Sequence, residues 1–129
     1  MTTHTLISPL RIPQSKIKEF TLNLNIYRNA HYQTLNTVKI NYKNYMKDQI
    51  IELPKFNKIK ISYYLYPASC RRTDLGNVIS IHKKFFEDAL TEFNIISDDD
   101  YTVIVSNHEY FGEVDKQNPR VEIIIEEVL

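Results

Sequence analysis

Cysteine occurs once in the 129 residues, at Cys70, and a lone thiol excludes an internal disulfide framework or a multi-cysteine zinc site. Glycine is nearly as scarce. Two glycines beside five prolines leave no Gly-rich linker and no P-loop to cradle a phosphate. No apolar run approaches the ~18 residues of a membrane-spanning helix. Residues 1–10 also lack the charged start and apolar stretch of a secretory signal. The expectation is a soluble cytoplasmic protein with no membrane partner. What is present is ordinary globular material. Hydrophobic residues at 43% and charged residues at 25% rule out wholesale disorder. A chain of this length forms one domain, 1–129, and buries roughly two-thirds of the surface exposed when unfolded.

The net charge of zero hides a sorting of charges along the chain. Met1–Thr73 carries twelve Lys and Arg against three Asp and Glu, or +9, while Asp74–Leu129 carries four against thirteen, or −9. A basic half suits a polyanion such as nucleic acid, and an acidic half suits cations. The plainer alternative is mutual neutralisation of the two halves inside one domain.

Periodicity predicts the elements. Phe20, Leu22, Leu24 and Ile26 alternate with polar residues as a half-buried strand does. A polar, aromatic loop from Tyr27 to Gln33 follows. From Leu35 to Leu53 the apolar positions Leu35, Val38, Tyr42, Tyr45, Met46 and Ile50 lie three or four apart. They form a helix stripe, with Lys39, Lys43 and Lys47 on another face and Pro54 at its end. A second strand runs from Ile59 to Leu65. A second helix runs from Gly76 or Asn77 to about Asn94, with its stripe at Val78, Ile81, Phe85 and Ala89. Ser97–Asp100 reads as a turn, Tyr101–Val105 as a strand, Glu109–Asn118 as a loop or hairpin, and Val121–Val128 as the last strand. The sum is an α/β (α+β) fold of order β-α-β-α-β-β, a mixed sheet with two helices on one face.

The densest chemistry lies between Cys70 and Asp100: Cys70-Arg-Arg-Thr-Asp-Leu-Gly-Asn77, then Lys84, then Asp98-Asp99-Asp100. Mg²⁺ often takes one or two carboxylates plus substrate phosphates, so an aspartate pair flanked by Arg71 and Arg72 suits a metal held against a phosphodiester. Each piece also has an ordinary reading. Asp74 can be a helix N-cap, the aspartate run a solvated turn, and Lys84 a solvated helix residue. A helix between Asp74 and Asp99 is ~25 Å long, so the two meet only if the strand after the triplet begins beside the end of the Ile59–Leu65 strand. A Cys70 pair with His4, His31, His82 or His108 has nothing to fix it, and no serine-elbow motif occurs. Tyr27 and Tyr32 suit unstacked bases.

The block Arg71-Arg72-Thr-Asp74-Leu-x-Asn77, then Lys84-x-x-x-Asp88-Ala-Leu90, then Ser-Asp98-Asp99 resembles the RusA family of Holliday junction resolvases, small phage- or prophage-borne endonucleases. It covers Arg71–Tyr101, about a quarter of the chain. The resemblance implies a RusA-like mixed-sheet homodimer that cuts four-way DNA junctions in recombination and repair with Mg²⁺, or Mn²⁺ in its place, in a bacterial or phage-infected cell. It makes Asp74, Asp99 and Lys84 the catalytic candidates and Asp74, Asp99 and Asp98 the metal ligands. Arg71, Arg72, Asn77, Arg28 and Lys39 become the DNA-binding set. The chain departs from the family pattern in two places. Gly76 stands where a second aspartate is expected, and about four extra residues separate Asn77 from Lys84. Gly76 removes a carboxylate, which bears on catalysis rather than fold, and Asp98 or Asp100 is the candidate replacement. The alternative function is a non-catalytic junction- or DNA-binding protein, or a phage regulatory protein, on the same fold.

Overall fold

The computed structural model describes residues 3–129. Strand β1 (Thr3–Ser8) is followed by a short hairpin, β2 (Arg11–Pro13) with β3 (Glu19–Thr21), and by two helices, α1 (Leu24–Asn29) and α2 (Tyr32–Ile50). Then come β4 (Ile59–Tyr66), α3 (Leu75–Glu92), β5 (Ile104–Phe111) and β6 (Arg120–Glu127). The main sheet has the order β1-β6-β4-β5, with β4 and β5 parallel and β6 antiparallel to both β1 and β4. This is the mixed sheet expected from the sequence.

Strict alternation builds β4 and β6. Ile59, Ile61, Tyr63 and Leu65 turn inward beside Val121, Ile123 and Ile125. Onto them pack the four-residue stripe of α2 (Val38, Tyr42, Met46, Ile50) and the broader buried face of α3 (Val78, Ile81, Phe85, Ala89 and neighbours). Each such side chain contributes roughly 1.5–3 kcal/mol by leaving water. The opposite sheet face carries Tyr64 stacked on Tyr110 at 4.8 Å, and Arg120 lies 4.1 Å over the Tyr66 ring.

Three differences from the sequence reading have local causes. The alternation at Phe20–Ile26 continues as strand only to Thr21, because the Asn23 side chain accepts from the backbone N–H groups of Asn25 and Ile26 and starts α1. The stretch Tyr27–Gln33 is accordingly not a loop. It holds the end of α1 and, after the cap at His31, the start of α2, giving three helices rather than two. Residues 101–103 form a turn, and β5 begins at Ile104 and takes in Glu109–Phe111, assigned from sequence to a loop or hairpin. β1 and β2 had no periodic signal. At the end of α3, Asn94 takes the left-handed conformation (φ 59°) and Ile95 N–H returns to Leu90 O at 2.9 Å, closing the helix as a C-terminal glycine often does.

Candidate functional site

Helix α3 carries chemistry at both ends. At its N-terminus Asp74 is the cap: its Oδ1 accepts from Gly76 N–H at 2.9 Å, and its carbonyl receives Asn77 and Val78 N–H. This is the ordinary reading of Asp74, realised, and it leaves the second carboxylate oxygen free to take a ligand. Asp74, Gly76 and Asn77 share a groove of about 510 Å³ with Leu24, Asn25 and Arg28. Asp74 also borders a second cleft of about 530 Å³, with Arg71, Arg72, Cys70, Phe111 and Val114. Arg71 and Arg72 are exposed and, among the described residues, in no ion pair. The sequence candidates Asp74, Asn77, Arg28, Arg71 and Arg72 thus gather at one end of one helix. Gly76 has no positive φ, and a Cβ there would meet Asp74 Oδ1 at 3.4 Å, ordinary contact.

Farther along α3, Lys84 and Asp88 lie one turn apart, and Asp99 comes up to them in a cleft of about 400 Å³ with Ser80, Lys83, Glu87 and Glu109. Asp99 N–H donates to Asp98 Oδ1 at 2.7 Å. Partial burial, the hydrogen bond with Asp98 and the negative charges of Asp88 and Asp98 hold the Asp99 carboxyl above its ordinary value. Glu87 is buried and accepts from Tyr63 O–H at 2.8 Å. Burial, and then the Asp99 charge, raise its carboxyl as well, against the lowering pull of Tyr63 and Lys83. Asp100 is different. It is tied to the Thr102 N–H and hydroxyl, which lower its pKa and occupy it as a turn residue.

Asp74 and Asp99 do not meet within one chain. Asp99 lies against α3 between Ser80 and Asp88, ~9–21 Å along the helix from Asp74 at 1.5 Å per residue. The parallel register Ile59↔Ile104 through Leu65↔Phe111 starts β5 beside the start of β4, the opposite of what their meeting requires. Asp98 and Asp100 lie at the same far end, so neither replaces the carboxylate missing at Gly76. Lys39 sits half-buried on α2, one turn before Lys43, which is ion-paired with Glu92 at the end of α3. Tyr27 packs its edge on Phe85, and Tyr32 stays exposed, stacked on His31 at 4.7 Å. His82 is fully buried on Ser8, whose hydroxyl also meets Tyr42, while Cys70 is exposed; they form no thiol-imidazole pair.

The sequence reading gave no role to Asp88, Glu87 or Glu109. The signal for Asp88 was available: Ser80, Lys84 and Asp88 recur every four residues and line one helix face. Glu109 required the pairing of β5. Among the described residues no group of three or more His, Cys, Asp or Glu is spaced to hold a metal ion. Mg²⁺ asks for less, one or two carboxylates with waters and phosphate oxygens completing the shell. Asp88 and Asp99 fit that smaller requirement. No helix among the described residues is long and apolar enough to cross a membrane. No protein-family model matches the chain, and no curated protein matches it.

Proposed function

We propose that the protein is a metal-dependent endodeoxyribonuclease acting on branched DNA, the four-way junction above all, as a homodimer. The observation that carries this reading is the shared cleft of Lys84, Asp88 and Asp99, a cation beside two carboxylates within one block that resembles a resolvase motif. Asp88 and Asp99 would hold the Mg²⁺, with Mn²⁺ as substitute. When bound, the ion supplies Lewis-acid polarisation of a phosphodiester and a more acidic water. Lys84 offsets the charge that grows on the phosphate during cleavage. Arg71 and Arg72, exposed at the other end of α3 with Arg28 and Asn77 nearby, bind backbone phosphates and position the duplex arms without reading sequence.

A second reading, junction binding without cleavage, is favoured by one observation: the Asp74 carboxylate is engaged as a cap and Gly76 offers none. A synthetic four-way junction with Mg²⁺ separates the two. Paired nicks near the branch point support the nuclease. Tight, salt-sensitive binding without nicks supports the second reading. A protein that neither binds nor nicks the junction overturns both.

A further inference from the structure

Phe111 and Val114 are apolar, yet they stand 56% and 42% exposed. Both open onto the cleft of about 530 Å³ that also holds Arg71 and Arg72. The backbone carrying the two apolar side chains is pinned in place. Gly112 N–H donates to Leu65 O and Asp115 N–H to Pro67 O, each at 2.8 Å. The Asp115 carboxylate accepts from Arg120 at 2.7 Å. Gly112 is required by close approach, because a Cβ there would meet the Tyr66 ring at 2.6 Å. The cleft therefore joins a rigid apolar wall, continued by Leu65 and Pro67, to two arginines in no ion pair among the described residues. Its volume falls in the range of small-ligand sites, roughly 300–1,000 Å³, and such sites are usually preformed in this way.

We propose that this cleft takes one unpaired nucleotide of a DNA strand, its base stacked on Phe111 and its phosphate on Arg71 and Arg72. The lining selects that chemistry. A nucleotide offers a flat π-face beside an anionic group, and an aromatic ring stacks on any base. A guanidinium fork matches the phosphate oxygens. A paired duplex keeps its base faces inside the stack and shows such a surface only phosphates, so Phe111 adds nothing to its binding. The occupant is a nucleotide within a strand rather than a free one, because a second groove continues the path. It shares Asp74 with the cleft and carries Arg28 and Asn77. A strand leaving the cleft there meets a further cation and a further amide donor.

Phe111 thereby becomes the residue that tells unpaired DNA from duplex, while the arginines hold either by its backbone. The tyrosines that the sequence offered for this task are engaged elsewhere: Tyr27 packs on Phe85 and Tyr32 on His31. Among the described residues Phe111 stacks on no other ring. Stacking tolerates every base, so the cleft adds selectivity for DNA structure and none for sequence. This assignment rests on the branched-DNA reading and deepens it, since a branch point is where bases leave the stack.

The chain has no tryptophan, so Phe111→Trp sets a single reporter in the cleft, at a position open enough for the larger ring. Titration with a short oligothymidylate should quench its emission. Tyr101→Trp, on the acidic turn and 85% exposed, should keep its emission over the same range. Phe111→Ala should weaken oligothymidylate binding ~10-fold by fluorescence anisotropy and leave duplex affinity unchanged. Oligothymidylate that binds by anisotropy without changing the Phe111→Trp emission overturns the cleft assignment, and the junction assay on wild-type protein then judges the nuclease reading separately. Thymidine monophosphate that binds as tightly as the oligonucleotide overturns the strand as occupant. A wild-type protein that binds no DNA, whether single-stranded, duplex or branched, overturns the cleft assignment and the DNA reading together.

Discussion

The two ends of α3 come from one sequence block but answer to different constraints. The N-terminal end is basic and open: Arg71 and Arg72 stand exposed, and Asp74 is engaged by the Gly76 N–H. The other end is crowded and acidic: partial burial, the hydrogen bond with Asp98 and the charges of Asp88 and Asp98 raise the Asp99 pKa. Anions are favoured at a helix N-terminus and carboxylates are repelled from one another. The first end is therefore suited to hold phosphate and the second to hold a cation. A nuclease needs both in reach of one bound strand, and the stretch of α3 from the Asp74 cap to the Lys84–Asp88–Asp99 cleft sets the span that strand must cover.

The largest effect should come from loosening the rod that separates the ends. His82 anchors α3 through Ser8 to β1 and Tyr42, and burial pushes its pKa down to about 3. The unfolded chain binds this proton near the ordinary value of ~6.5 and the folded chain only far below it. The stabilisation from keeping His82 neutral is therefore whole above pH ~6.5. It drains away as pH falls toward ~3, on the order of 4–5 kcal/mol in all. Urea unfolding near neutral pH and again about two pH units lower should show the loss, and His82→Leu should shrink it. An equal loss in both proteins would remove His82 as its cause.

Next in size is the acidic end itself. Asp99→Asn should lower Mg²⁺-dependent junction cleavage at least ~100-fold, about 2.7 kcal/mol in the barrier. Junction affinity, read by gel shift, should hold or rise as repulsion of phosphate falls. Cleavage at the wild-type rate would unseat Asp99. At the other end, Asp74→Ala should cost ~1 kcal/mol of stability through the lost cap, whereas Asp74→Asn should keep most of it. The smallest effect is at Gly76. Its backbone is not left-handed and its Cβ direction meets only Asp74 Oδ1, so Gly76→Asp should fold as the wild type does. A thermal melt that overlays the wild type's checks this, and a clearly lower midpoint would show the new carboxylate crowding Asp74.

Much of this arrangement was legible in the residues. The alternation of Ile59–Leu65 and Val121–Val128 and the stripes of α2 and α3 gave their elements to within a few residues, because burial on one face enforces a period. The short pieces were not legible. Leu22, Leu24 and Ile26 alternate like a strand, yet Asn23 caps a helix between them, a case of local side-chain chemistry overriding pattern. β1 offers little inward apolar surface, Leu6 with the polar Ser8, and owes its place to β6, over a hundred residues away in sequence. Of the site, the arginine-aspartate block and the Lys84-to-Asp88 spacing could be read directly. The separation of Asp74 from Asp99 could not, because it depends on β5 lying parallel to β4.

Cleavage of a synthetic four-way junction by wild type beside Asp88→Asn tests the central claim most directly. If Asp88 and Asp99 hold the ion in the Lys84 cleft, Asp88→Asn binds the junction as wild type does and loses Mg²⁺-dependent nicking at least ~100-fold. An Asp88→Asn variant that cuts at the wild-type rate would contradict the account.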